Sequence, residues 1–172
     1  EWNYMTEWKI KSGEIIPYTE SADKLPAISK YYDYDEGAPG KSAQSNGITC
    51  IYRYAEVLLM YAEASTRATN SVNQDALNAI QEVQKRAGYQ SRQIELTTTT
   101  EPAAFLAAVS NERGWEFFAE MKRWFELVRL EKVKEVRAEE WDASTFNTNH
   151  HYYFPVPYQQ VDLAGWTNNA GY

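Results

Sequence analysis

The order of apolar and polar side chains predicts three helices between residues 48 and 137. Residues 49–69 are apolar on nearly every side, which is typical of a helix buried between neighbours. Residues 74–87 carry apolar side chains at every third or fourth position, and Gly88 follows a basic last turn as a stop signal. Two such helices have the size of one tetratricopeptide-type hairpin, a unit that needs further helices to bury its faces.

The third helix is predicted to begin near residue 101, capped by Thr99 or Thr100, and to continue through residues 111–129. At about 100° per residue, one broad arc of this run is apolar and is expected to pack into a core. The members of the arc are Gly114, Phe117, Phe118, Met121, Trp124, Phe125 and Val128. This helix is therefore expected to be long and to carry much of the core.

Three carboxylates recur at every fourth position on the opposite side of this helix: Glu112, Glu116 and Glu120. Like charges at this spacing repel one another, so the stripe must face water or meet cations. The candidate partners are Arg53, Arg86 and Arg123. In the first helix, Glu56 follows Arg53 by three residues, which favours a local ion pair.

These acids are interpreted as structural ion pairs rather than as catalytic groups. Hydrolysis of a glycosidic bond needs two carboxylates at a set separation across the substrate, with pKa values pushed apart. One helical stripe beside arginines supplies neither condition. The sequence contains no other arrangement typical of a catalytic site, so an enzyme such as a glycosidase is the least favoured interpretation.

The flanking segments lack a sustained helical period. Residues 1–47 are interrupted by Pro17, Pro26 and Pro39 and are predicted to be extended and mostly irregular, with a short strand within 27–34. Residues 138–172 are predicted to be an irregular tail with a single helical turn at 159–163. The whole chain, residues 1–172, is thus expected to be one mainly α domain, with its helical core at 48–137.

Composition narrows the classes of ligand. The net charge of −7 argues against nucleic acid, whose phosphates require clustered Lys and Arg. Neighbouring His150 and His151 would point to opposite faces of an extended segment, so no metal site is predicted. The single cysteine, Cys50, excludes an internal disulfide and is expected to be a small buried residue. No cofactor is predicted.

Three stretches occur together in an informative order: residues 53–64 (RYAEVLLMYAEA), residues 111–129 (NERGWEFFAEMKRWFELVR), and an ending that contains PVP at 155–157 and GY at 171–172. This set resembles the signatures of SusD/RagB-like proteins and covers residues 48–172. The chain departs from the usual family residues at Gln160, Ala164 and Ala170.

The resemblance implies a lipoprotein exposed at the cell surface on the outer membrane of Bacteroidetes. Such proteins bind a glycan, a polysaccharide or oligosaccharide such as starch, for a SusC-like TonB-dependent transporter, and they are not enzymes. The resemblance also implies that this is the C-terminal portion of a longer protein, with an N-terminal lipid anchor absent from this chain. Two alternatives stay open: a peptide-binding uptake lipoprotein of RagB type, and a helical interaction scaffold without a small ligand.

Aromatic side chains are the candidate ligand contacts. The chain has 13 tyrosines and 6 tryptophans, and rings in an irregular segment can stack on sugar faces. The candidates in the N-terminal third are Trp2, Tyr4, Trp8 and Tyr32. Whether the ligand site lies within these 172 residues is left open by the sequence.

Overall fold

The computed structural model confirms a mainly helical fold. It describes residues 4–5, 7–9, 14–20, 24, 27–28, 30, 50–88, 95–136 and 152–172. Within these ranges lie six α-helices and four short strands. The chain divides into two compact units, Glu1–Met121 and Lys122–Tyr172.

Three helices form the helical part of the first unit: α1 (Tyr54–Thr69), α2 (Gln74–Arg86) and α3 (Pro102–Glu116). The helix α1 begins later than predicted because Arg53 is extended (φ −144°, ψ 162°). Asn70 ends α1 in the left-handed conformation, and the side chain of Asn73 caps α2 by accepting a hydrogen bond from the Ala76 amide at 2.8 Å. Gly88 (φ 74°) follows α2 as predicted.

The core of the first unit lies among α1, α2 and α3. Its buried apolar members are Leu59, Ala62, Val72, Ala76, Leu77, Ala79, Ile80, Val83, Phe105, Val109 and Phe117. The members from α1 all come from one side of that helix, whereas Tyr54, Val57 and Tyr61 are exposed. The prediction that α1 is buried on nearly every side is therefore wrong for this chain, because the helices that cover it contact one side.

The helix α3 ends at Glu116 instead of continuing through residues 111–129. Ala119 (φ 64°) and Met121 (φ 60°) adopt the left-handed conformation, which a right-handed helix cannot contain. The predicted apolar arc is consequently broken. Phe117 is buried in the core, whereas Met121 and Phe125 are exposed.

Two local predictions before the helices are also wrong. Cys50 is exposed rather than buried, because α1 begins only four residues later and the intervening backbone is not helical. The helix α3 is preceded by Glu101, with Pro102 at its start, and not by a capping threonine. Thr97 and Thr100 instead close their own turn, in which the Thr100 hydroxyl accepts from the Thr97 amide at 2.9 Å.

The N-terminal third of the first unit contains two separate antiparallel pairs of strands. The strand β1 (Tyr4–Met5) pairs with β4 (Ala27–Ile28), and β2 (Glu7–Lys9) pairs with β3 (Ile15–Pro17). A 3₁₀ turn, Tyr18–Glu20, follows β3. The strand predicted within 27–34 is thus represented by β4, which covers its first two residues.

The second unit contains α4 (Arg123–Arg129), α5 (Val133–Val136) and α6 (Tyr158–Ala164). Its small core consists of Leu127 and Val133, packed against Trp124, Val128 and Tyr152. The helix α6 is longer than the single turn predicted there. In the part of the chain that the structure describes, every helix is too short or too polar to cross a membrane.

Candidate functional site

The structure describes only part of the predicted aromatic contacts. Tyr4 lies in β1 opposite Ile28, and Trp8 lies in β2 opposite Ile16. These two residues belong to different strand pairs of the N-terminal third. The other candidates, Trp2 and Tyr32, and the neighbouring histidines at 150 and 151 lie outside the described residues.

The most organised polar feature of the first unit is a group of charges at the end of α3. We call it the α3-terminal cluster, and its members are Lys30, Arg53, Arg86, Glu116 and Glu120. The cations come from the N-terminal third, from the residue before α1 and from the last turn of α2. The cluster therefore joins distant parts of the chain to the signature run.

Glu116 is the most buried carboxylate of the cluster, with 4% of its side chain exposed. Nη1 of Arg53 donates to its Oε1 at 2.5 Å, and Nη2 of Arg86 donates to both of its carboxylate oxygens. Hydrogen bonds to charged partners are the strong ones in proteins. Both oxygens of Glu116 are therefore occupied by guanidinium donors.

Glu120 accepts from two cations. Arg53 approaches it as a fork, with Nε 3.0 Å from Oε2 and Nη2 2.9 Å from Oε1, and Nζ of Lys30 donates to Oε1 at 2.7 Å. Burial alone would raise the pKa of Glu120, but the hydrogen bonds from Arg53 and Lys30 outweigh it and hold that pKa below its usual value. Glu120 is consequently an ionised acceptor at neutral pH.

The same cations satisfy carbonyl groups that the end of a helix leaves without intrahelical partners. Nζ of Lys30 donates to the carbonyl oxygens of Glu116 at 2.7 Å and Phe118 at 3.2 Å. Nη2 of Arg53 also donates to the Glu116 carbonyl at 2.7 Å. Cations are favourable at this end because the helix dipole is negative there.

Arg53 is the centre of the cluster. Its guanidinium carbon lies 4.6 Å from the centroid of the Phe117 ring, an attractive cation–π distance. Burial alone would lower the pKa of Arg53, but its hydrogen bonds to Glu120 and Glu116 outweigh this and raise the pKa. Arg53 therefore remains a cation, and the arrangement provides fixed ion pairs rather than a group that exchanges protons.

Other predicted acids also have defined neighbours. Glu112 is buried on α3 and accepts from Nε2 of Gln84 on α2 at 3.0 Å. Glu56 of α1 pairs with Arg113 of α3 at 3.6 Å, so this contact joins two helices. In the second unit, Arg123 pairs with Glu126 at 3.3 Å.

Sequence reasoning missed Lys30. Arg53 and Arg86 were named as candidate partners of the carboxylate stripe, but Lys30 stands in a segment without any periodic pattern. Its contact with Glu120 spans 90 residues, and a single sequence carries no signal for such a pairing. Among the described residues, no group of three or more His, Cys, Asp or Glu side chains is arranged to hold a metal ion.

In the second unit the end of the chain folds back on the segment that contains Pro155 and Pro157. The Asn168 side chain accepts from the Val156 amide at 2.8 Å, and the Asn169 side chain donates to the Phe154 carbonyl at 2.6 Å. The Tyr172 hydroxyl donates to the Tyr153 carbonyl at 3.0 Å. These three hydrogen bonds connect the segment around Pro155 and Pro157 to the last residues of the chain.

Comparison with known proteins gives a consistent result. A model of the SusD family matches residues 2–172. The chain is 29% identical over 177 residues to SusD-like protein P2 of Formosa agariphila, a match covering 94% of this chain and 34% of that protein. It is 27% identical over 144 residues to SusD-like protein P25 of the same organism, covering 81% of this chain and 26% of that protein.

Two solved structures resemble the fold, each at 26% sequence identity. A SusD superfamily protein from Parabacteroides distasonis matches 99% of this chain and 37% of its own length, with a TM-score of 0.73. A SusD homologue from Bacteroides thetaiotaomicron matches 77% of this chain and 30% of its own length, with a TM-score of 0.62. The chain thus spans about a third or less of the length of the curated relatives that it matches.

Proposed function

The chain belongs to the SusD family, and on this premise we propose that it is part of a non-catalytic, glycan-binding subunit of a SusC/SusD-type nutrient uptake system. The observation that carries the proposal is the family match over residues 2–172. The subunit is proposed to be a lipoprotein of the outer membrane, exposed at the cell surface and partnered by a SusC-like TonB-dependent transporter.

The state of the carboxylates favours binding over catalysis. Both oxygens of Glu116 accept from arginines, and Glu120 accepts from Arg53 and Lys30. A general acid must hold a proton near neutral pH, but the pKa of Glu120 is lowered. The α3-terminal cluster is therefore proposed to stabilise the fold and not to act on a substrate.

The glycan contacts are proposed to come from the aromatic residues of the N-terminal third: Trp2, Tyr4, Trp8 and Tyr32. Lys30 belongs to the same third and is hydrogen-bonded to the end of α3 at three oxygens. Tyr4 and Trp8 lie in paired strands, and a held backbone loses less conformational entropy when a ligand binds than a free one does. This pairing supports a sugar-binding role for these two residues.

Tryptophan fluorescence can test the proposal on the 172-residue chain. The ligand panel should contain starch-type, plant and host oligosaccharides, together with a set of unmodified peptides of similar size. We expect saturable quenching by one oligosaccharide class and none by the peptides. Substitution Trp8→Ala should weaken that affinity at least about fivefold, because stacking on one ring is worth roughly 1 kcal/mol or more.

The matched control is Trp166→Ala, which removes an exposed ring of the second unit and should leave the affinity unchanged. Circular dichroism of each variant verifies the helical content. Quenching by peptides alone would replace the glycan proposal with a RagB-type one. Silence toward both ligand classes from a folded chain would overturn a ligand site within these residues.

The partner, the location and the lack of catalysis have separate tests. Co-purification of the protein from outer membranes with a TonB-dependent transporter is expected. Added protease should cleave the protein on intact cells if it is exposed at the surface. Chromatography of the bound oligosaccharide after long incubation should recover it unchanged, and a shortened product would overturn the non-catalytic assignment.

A further inference from the structure

Lys30 connects the N-terminal third to the end of α3. An ammonium group has three donors, and Nζ of Lys30 donates to three oxygens. These are Oε1 of Glu120 at 2.7 Å and the carbonyl oxygens of Glu116 at 2.7 Å and Phe118 at 3.2 Å. Glu116 is the last residue of α3, and the other two acceptors follow it closely. The lysine is therefore fixed at this helix end with its whole donor capacity in use.

The same lysine stands two residues after the end of β4. An extended chain advances at most about 3.6 Å per residue, so the Cα atoms of Ile28 and Lys30 lie within roughly 7 Å of each other. Ile28 is paired with Tyr4 of β1. A short path consequently leads from the end of α3 through Lys30 and β4 to Tyr4, which is one of the proposed sugar contacts.

The β1–β4 pair is too short to be stable by itself. Each of its strands has two residues, and the strands are joined through residues 6–26. A sheet of two strands is marginal in water at best, and closing a long loop costs entropy. The β2–β3 pair differs, because its strands have three residues each and are joined through residues 10–14. The β1–β4 pair thus needs an anchor, and Lys30 supplies one.

We propose that Lys30 is a positioning residue for the ligand site: by tying β4 to the end of α3, it holds the β1–β4 pair where Tyr4 meets the glycan. The inference rests on the function proposed above and assigns Lys30 no contact with the ligand. Without this lysine, the pair would have to become ordered when the ligand binds, and that entropic cost lowers the affinity.

The α3-terminal cluster offers a matched control. The hydrogen bond from Lys30 goes to the main-chain carbonyl of Glu116, whereas the carboxylate of Glu116 accepts from Arg53 and Arg86. Substitution Glu116→Ala should therefore lower the stability of the chain but leave the three acceptors of Lys30 in place. The two variants separate a loss of stability from a loss of position.

The test titrates the panel of starch-type, plant and host oligosaccharides into the native 172-residue chain, Lys30→Met and Glu116→Ala, below all melting temperatures. Lys30→Met should bind about fivefold more weakly, the effect of having to immobilise roughly one more side chain on binding. Glu116→Ala should bind like the native chain. Lys30→Arg keeps a cationic donor and should recover most of the affinity. Lys30→Gln, a milder loss of donors, replaces Lys30→Met if that variant does not fold.

Two further measurements follow the path from Lys30 to Tyr4. In calorimetric titrations, Lys30→Met should have little effect when added to Tyr4→Ala. It should have its full effect when added to Trp8→Ala, because Trp8 lies in the other strand pair. Without ligand, Lys30→Met should raise amide hydrogen exchange in the β1–β4 pair by about tenfold or more and leave the β2–β3 pair unchanged.

The outcomes distinguish this inference from the proposed function. Unchanged affinity of Lys30→Met, or unchanged exchange in the β1–β4 pair, would overturn the inference and leave the function standing. Equal losses of affinity in Lys30→Met and Glu116→Ala would also overturn it, because they would trace the effect to the stability of the cluster as a whole. Absence of quenching in the native chain would overturn the proposed function together with this inference.

Discussion

Replacement of Glu116 by alanine removes the carboxylate on which Arg53 and Arg86 converge. The side chain is 4% exposed, so the two guanidinium groups lose a partner that water replaces only in part. Arg53 keeps its contacts with Glu120 and with the Glu116 carbonyl. Arg86 is 65% exposed and can return to water.

The size of the effect follows from these differences. Removal of one member of a buried ion pair costs about 3–5 kcal/mol, mainly because the remaining charge stays buried without compensation. Since Arg53 retains acceptors and Arg86 regains water, we expect the low end, about 3 kcal/mol. For a chain of this length, that loss lowers the melting temperature by roughly 6–12 °C.

Differential scanning calorimetry and urea unfolding measure this loss. The control is Glu82→Ala, which replaces an exposed glutamate of α2 and should change the free energy of unfolding by less than about 0.5 kcal/mol. Glu116→Gln keeps the volume of the side chain and separates the contribution of charge from that of packing. Oligosaccharide affinity, measured below the melting temperatures, should be the same for all three variants.

Two results would refute this reasoning. Unchanged stability of Glu116→Ala would show that the charges at the end of α3 compensate one another without this carboxylate. Loss of oligosaccharide binding at unchanged stability would show that Glu116 belongs to the ligand site. The second result would also overturn the structural role proposed for the cluster.

Three further predictions concern other parts of the first unit. Because the pKa of Glu120 is lowered in the folded state, its stabilising contribution is complete above its unfolded pKa of about 4.3 and is lost as the pH falls through the folded value. The stability difference between the native chain and Glu120→Gln should thus shrink in urea titrations from pH 6 to pH 3; a constant difference would contradict the assigned pKa direction. Phe105→Ala empties a fully buried core position and should cost about 3–5 kcal/mol in urea unfolding, against less than about 1 kcal/mol if the ring were dispensable. Asn73→Ala removes the cap of α2 and should cost about 1 kcal/mol, whereas Asn73→Ser should retain most of the stability because serine also caps; equal losses would exclude the capping role.

Local pattern was sufficient to predict the hairpin. The range of α2 follows from its periodic apolar residues, the asparagine at its start and Gly88 after its end. The end of α3 was missed because the apolar period continues past Glu116 without proline or glycine to interrupt it. What stops the helix there is tertiary: Lys30 and Arg53 bind carbonyl groups at its end.

The α3-terminal cluster was likewise only partly predictable from the sequence. The carboxylate stripe indicated a need for cations, and two arginines with a helical context were identifiable as partners. Lys30 had no such context, since its contact with Glu120 joins residues 90 positions apart in the sequence. The exposure of Tyr54, Val57 and Tyr61 on α1 was missed for a related reason, because an apolar side of a helix predicts a neighbour but does not identify it.

The α3-terminal cluster also bears on how long the folded chain persists. Its contacts span 30 residues for Arg86–Glu116, 63 for Arg53–Glu116 and 90 for Lys30–Glu120. Closing such long loops is entropically costly, so these contacts are expected to form late in folding. Interactions absent from the transition state slow unfolding and leave the folding rate nearly unchanged. Stopped-flow measurement on Lys30→Met should therefore show a higher unfolding rate and an unaltered refolding rate. Lys30 would then prolong the lifetime of the folded chain without changing how fast it forms.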